Sequence, residues 1–176
     1  MRYITLSVKE YAEVKDIKLE FTTDMQHMIV CCDPNKIERV MLNLLSNAVK
    51  FTNKGGNIGV KVAKKEEHIL ISVKDSGIGI PEDKKGIIFE RFRQTEESLT
   101  RNYEGSGIGL SLSKSFIKMH DGDIYFESTE RVGSEFFVEL PLKEIANNCC
   151  NETIYQQKLI AHSDMEKVTI ELSDIR

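Results

Sequence analysis

Residues 33–52, DPNKIERVMLNLLSNAVKFT, decide the fold. Asp33 is a good N-cap, and Pro34 fits the first helical position, where a missing N–H costs nothing. The apolar residues then fall at Ile37, Val40, Met41, Leu44, Leu45, Ala48 and Val49. Those offsets keep to one face of an α-helix. The pair Gly55-Gly56 is a natural stop. The polar flank of this helix carries Asn43, Asn47 and Lys50, at spacings of 4 and 3. Asparagine is a mediocre helix former, so two of them one turn apart need a reason. An amide carbonyl suits Mg²⁺ and an ammonium suits a phosphate. A plain solvated flank shared with Lys36 and Arg39 is the competing reading.

On the N-terminal side, Ile17, Leu19 and Phe21 alternate with Lys18 and Glu20, which predicts a half-buried strand. The apolar run from Met28 to Cys32 predicts another. Residues 1–13 carry only weak signals. Toward the C-terminus, Ile58, Val60, Val62 and Ile69, Ile71, Val73 alternate on either side of Lys64-Lys65-Glu66-Glu67, so a β-hairpin is expected. Ile108, Leu112, Phe116, Ile117 and Met119 mark a second helix, stopped by Asp121-Gly122. A strand over 124–127, then Gly133-Ser134 and a strand through Phe136, Val138 and Leu140, close the domain. After Leu142 the composition shifts to a linker. The tail, where Val168, Ile170 and Leu172 alternate, is expected to be loosely attached in preference to forming an edge strand.

The chain has 176 residues, 24 Lys+Arg against 28 Asp+Glu, and a formal net charge of −4. That length fits one domain with a short appendage. The mildly acidic balance argues against a general nucleic-acid binder. With 40% hydrophobic and 30% charged residues, the chain can build a core and is not globally disordered. No apolar run approaches the ~20 residues of a membrane span, and the N-terminus has no signal-peptide apolar region. The cysteines form adjacent pairs, Cys31-Cys32 and Cys149-Cys150, without zinc spacing. They read as free thiols in a reducing compartment, with one of Cys31 and Cys32 buried and the other outward on a strand. His27, His68, His120 and His162 are too scattered for a metal site.

Three further stretches could carry chemistry. Asp75-Ser76-Gly77-Ile78-Gly79-Ile80-Pro81 places an aspartate at a strand end before two glycines. It is either a tight turn or a loop whose carboxylate accepts from a base amino group while its glycines admit a ligand. It lacks the third glycine of a dinucleotide fingerprint. Gly105-Ser106-Gly107-Ile108-Gly109-Leu110 runs into a helix, as a flexible hinge or as an anion cradle of backbone N–H groups, and it is not a P-loop. Phe89 and Phe92 bracket Glu90-Arg91 ahead of the polar, aperiodic stretch 94–106. They form either a helical turn packed on the core or a latch for a long mobile loop.

In this order, the motifs resemble the ATP-binding catalytic domain of sensor histidine kinases. That domain belongs to the superfamily shared with DNA gyrase B, the ninety-kilodalton heat-shock chaperone and MutL (GHKL). The resemblance spans 14–142 and rests on residues 43–52, 75–81, 89–92 and 105–110. It implies an α+β fold, a two-layer sandwich with a mixed β-sheet covered on one face by helices, of the Bergerat type. Residues 1–13 would be the exit from a missing dimerisation region, 14–143 the catalytic domain and 144–176 a tail.

By the same resemblance, the ligands are ATP and Mg²⁺. Asn47 would ligate the metal, Asn43 would assist around metal and phosphates, and Lys50 would reach a phosphate. Phe51 would stack on adenine and Asp75 would accept its amino hydrogen. Gly77 and Gly79 would let the backbone pass close to the nucleotide. Gly105, Gly107, Gly109 and Leu110 would contact phosphates, with Ile80, Phe89, Phe92, Ser106 and Ile108 completing the pocket. The stretch 93–106 would be the ATP lid. The implied reaction is γ-phosphoryl transfer to a histidine on a separate dimerisation domain, with a response regulator receiver domain as further partner. Neither nucleic acid nor a membrane would be contacted by this part. The location would be cytoplasmic, in a parent that can be membrane-anchored.

Two departures qualify the resemblance. None of the four histidines has the His-Glu-Leu-Arg-Thr-Pro context of a phospho-acceptor. Related ATPases activate water with a glutamate where this chain has Asn43, and Glu38 points about 140° away around the helix. Without a placed carboxylate, water loses its general base, which favours a kinase over a self-sufficient ATPase. An anti-sigma-type serine kinase and a GHKL ATPase module are the alternatives.

Overall fold

The Asp33 carboxylate accepts from the backbone N–H groups of Asn35, at 3.0 Å, and Lys36, at 3.2 Å, and also pairs with the Lys36 ammonium. That cap starts the long helix where its sequence predicts, with Pro34 in the first turn. The computed structural model describes residues 1–25, 30–90 and 107–142. The elements are α1 (Arg2–Ser7), α2 (Lys9–Val14), β1 (Lys18–Thr23), α3 (Pro34–Phe51), β2 (Asn57–Lys65), β3 (His68–Asp75), α4 (Glu82–Lys85), α5 (Gly109–Lys118), β4 (Asp123–Thr129) and β5 (Gly133–Pro141).

The five strands form one sheet in the order β1-β2-β3-β5-β4. β1 runs parallel to β2 across the α3 crossover, and every other pair is antiparallel, so the sheet is mixed. The expected hairpin of β2 and β3 turns through Glu66, whose φ is 52°. Ile58, Val60, Ile69, Ile71, Val73, Ile124, Phe136, Val138 and Leu140 are buried on one sheet face. They share a core with the apolar stripe of α3 and with Ile117 of α5. The fold is the two-layer α+β sandwich with a mixed sheet that the family resemblance implies.

Residues 1–13, which carry only weak sequence signals, form α1 and most of α2, and Val8 and Ala12 have no exposure in the core. Two helices of 6 residues are too short to display a periodic stripe, so the sequence there is nearly silent. The expected strand from Met28 to Cys32 does not form in its described part, because Val30, Cys31 and Cys32 lead irregularly into the helix cap. Cys31 and Cys32 are therefore both half-buried, without the in-and-out alternation of a strand. Ahead of Phe89, a short helix, α4, is followed by turns over 86–89. Phe92, Gly105, Ser106, the 94–106 stretch, the tail from 144, Cys149, Cys150, His27 and His162 lie outside the described residues.

Candidate nucleotide site

Asp75 ends β3 with its side chain on the helix-facing side, 7% exposed. Its Oδ1 accepts from the Gly77 N–H at 2.8 Å and from the Ser134 N–H at 3.3 Å. Burial raises the carboxyl above its ordinary range, and these two hydrogen bonds only partly oppose it. Both bonds fall on one oxygen. Among the described residues, Oδ2 has no hydrogen-bond partner, so a buried acceptor is held rigidly and left unused.

The loop after Asp75 is fixed by protein backbone on both sides. The Ile78 N–H donates to the Phe51 carbonyl at 3.2 Å, and the Ile78 carbonyl accepts from Arg131 at 2.6 Å. The Ile80 N–H donates to Ser128 Oγ at 2.8 Å, and that hydroxyl lies 2.9 Å from Ser134 Oγ. A Cβ at Gly77 would collide with the Phe51 carbonyl. Gly79 has φ +67°, and a Cβ there would collide with the Thr129 carbonyl. In this structure these glycines allow chain to approach chain.

The polar flank of α3 divides into two roles. Asn47 is half-buried, and its amide makes no hydrogen bond among the described residues. Asn43 is already engaged: its Nδ2 donates to Ser113 Oγ at 3.0 Å. Lys50 holds its ammonium 5.5 Å from the centroid of the Phe51 ring, which is 41% exposed. Lys15 donates to the Val49 carbonyl at 3.3 Å, tying the chain before β1 to the end of α3. Its pKa is lowered by burial and then by Lys50. Glu38 is on the other side of the helix and acts on the amine of Met1.

α5 begins directly against this flank. Gly107 has φ +65°, and the cap residue Ile108 offers no side-chain hydrogen bond to the first turn. Among the described residues, no side chain caps the opening N–H groups of α5, which suits an anion. Gly109 lies so close to Asn43 that a Cβ would collide with Oδ1. Leu110 and Phe89 pack on the core. The Phe89 ring lies 5.9 Å from Phe126, with the Lys114 ammonium 5.1 Å from its own centroid.

The structure therefore brings Gly77 and Ile78 to the C-terminal end of α3, Gly79 and Ile80 against β4, and Gly109 to the middle of α3. Ser113 and Ser128 belong to the same surroundings but escape a sequence reading. The one available signal for Ser113 is a hydroxyl on the inward side of a short amphipathic helix. Among the described residues, no three His, Cys, Asp or Glu side chains could together hold a metal ion. A metal here would rest on an amide oxygen and on the ligand's own phosphates, the usual habit of Mg²⁺.

The family of histidine kinase-, DNA gyrase B- and HSP90-like ATPases matches residues 32–144 of this chain. The chain belongs to that family. It is 36% identical over 137 residues to the circadian input-output histidine kinase CikA of Synechococcus elongatus, covering 77% of this chain and 18% of that protein. It is 34% identical over 148 residues to the sensor histidine kinase WalK of Bacillus subtilis, covering 82% of this chain and 24% of the relative. The chain thus spans a quarter or less of these two relatives. Among solved structures, the catalytic domain of histidine kinase ThkA superposes with a TM-score of 0.69 at 31% identity, covering 80% of this chain and 89% of that one. The same kinase in complex with response regulator protein TrrA gives a TM-score of 0.67 at 29% identity, covering 81% of this chain and 39% of that one.

Proposed function

We propose that this chain is the ATP-binding catalytic domain of a sensor histidine kinase. It places the γ-phosphoryl group of ATP before a histidine on a separate dimerisation domain. The single observation that carries the reading is Asp75. A buried carboxylate, locked through one oxygen and vacant on the other, fits the exocyclic amine of adenine and not the carbonyl of guanine. Phe51 offers an exposed ring beside that loop for stacking.

Asn47 would hold Mg²⁺ through its amide oxygen, and the metal would neutralise charge on the phosphates. Lys50 and the uncapped N-terminus of α5 orient the phosphate chain, so the domain works by positioning and electrostatics. In the transfer, the imidazole nitrogen forms the N–P bond as the bond from the γ-phosphorus to the bridging oxygen breaks, and ADP leaves. Gly105, Ser106 and Phe92 complete the pocket in this reading. The dimerisation domain and a response regulator receiver domain are its partners, and the cytoplasm is its place. No described helix is long and apolar enough to cross a membrane.

The test supplies the chain with γ-labelled ATP and the histidine-bearing dimerisation domain of its own kinase. The expected result is label on that domain, acid-labile and alkali-stable, and none on this chain alone. Acid-stable label would overturn the reading in favour of a serine kinase.

A further inference from the structure

Ser113 lies on the second turn of α5, 3% exposed, at the contact between α5 and α3. Its hydroxyl accepts from Asn43 Nδ2 at 3.0 Å and donates to the Gly109 carbonyl at 2.9 Å. Asn43 Oδ1 meanwhile rests against Gly109 itself. One asparagine side chain thus touches α5 at two points one helical turn apart. The first is a hydrogen bond and the second a close approach that only glycine permits. A serine bonding back to the carbonyl four residues earlier gives its helix no net stability. Alanine at position 113 would be the better helix former. Ser111 and Ser115 bond back along α5 in the same way, and among the described residues Ser113 alone of the three also accepts from α3.

The geometry points to Ser113 as a positioning residue for the phosphate side of the site, acting through Asn43. This rests on the functional reading above and deepens it. Asn43 lies one turn before Asn47 on α3, and Gly109 opens α5. The Asn43–Ser113–Gly109 chain therefore sets how far the proposed metal oxygen stands from the anion-binding N–H groups. Asp75 and Phe51 belong to the other end of the site and are not held by this chain. Loss of the Ser113 hydroxyl should weaken the phosphate end and leave the adenine end intact.

The experiment titrates the 176-residue chain with Mg·ATP and, separately, with adenosine, by calorimetry. It uses wild type, Ser113→Ala, Asn43→Ala and the double variant, with thermal unfolding confirming that each is folded. Ser113→Ala should lose about tenfold in Mg·ATP affinity, the scale of one buried hydrogen bond, and keep its adenosine affinity within about twofold. The double variant should bind no more weakly than Asn43→Ala alone, because both substitutions break the same chain. Ser113→Thr, which keeps the hydroxyl, should restore Mg·ATP affinity if it folds. Equal losses for Mg·ATP and adenosine would mean a general loosening and would overturn the proposal. Additive losses in the double variant, or wild-type Mg·ATP affinity in Ser113→Ala, would overturn it as well. A wild-type chain that binds no Mg·ATP would instead overturn the functional reading, and this proposal with it.

Discussion

The backbone N–H of Asp33 donates to Nε2 of His120 at 2.9 Å, joining the start of α3 to the residues just after α5. The other ring nitrogen, Nδ1, lies 2.7 Å from the Phe116 carbonyl. The two contacts assign the proton to Nδ1, since Nε2 must accept. His120 is therefore a strut between the two helices that carry the candidate phosphate site.

Replacing His120 with alanine leaves the Asp33 N–H without that acceptor at the N-terminus of α3. A half-buried unmet donor costs about 1 kcal/mol, so Tm should fall by roughly 2–4 °C. Mg·ATP affinity should stay within about twofold. Thermal unfolding beside a calorimetric titration checks both halves, and a lost affinity with unchanged Tm would contradict the strut.

Thr52 Oγ1 is a buried side-chain oxygen without a hydrogen-bond partner among the described residues. Valine has the same shape and no polar group to satisfy. Thr52→Val should therefore stabilise the chain by up to about 1 kcal/mol. Urea unfolding should show a higher midpoint at an unchanged slope. A lower midpoint would mean that the hydroxyl has a partner in solution.

Asp75 should trade stability for binding. Its carboxyl is raised in the folded chain, chiefly by burial, so folding favours the protonated form. Its contribution is fully present below the ordinary aspartate value, about 4, and is lost as pH rises through the raised folded value. Asp75→Asn keeps an oxygen for the Gly77 and Ser134 N–H groups and removes the buried charge. At pH 7 the variant should be more stable than wild type, and the gap should close toward pH 4. ATP affinity should drop at least about tenfold, because an amide N–H₂ would face the adenine amine. Paired unfolding curves at the two pH values decide the sign.

Asn47→Ala removes a half-buried amide that has no hydrogen-bond partner among the described residues. Apo stability should barely change. Mg²⁺-dependent ATP affinity should fall by about tenfold or more, while binding of ATP in excess chelator should be the same as wild type. Titrations with and without Mg²⁺ separate the two, and an equal Mg²⁺ enhancement in both proteins would remove Asn47 from the metal.

How much of this was legible depended on how far apart the interacting residues lie. The cap at Asp33, the stripe of α3 and the alternation of β2 and β3 are written in neighbours, where backbone geometry alone decides which side chains share a face. So are the loop at Asp75 and the glycines near α5, and these were enough for the family. Residues 1–13 were opaque because two short helices without caps carry no periodic signal. The partner of Asn43 was equally hidden. Asn43 and Asn47 lie on one flank of one helix, and only the packing of α5 against α3 engages the first with Ser113, 70 residues away. The link from Asp33 to His120 spans 87 residues for the same reason. Periodicity tells which face of a helix is buried, but the partner is chosen by how the layers stack, and that choice exists only in the folded chain.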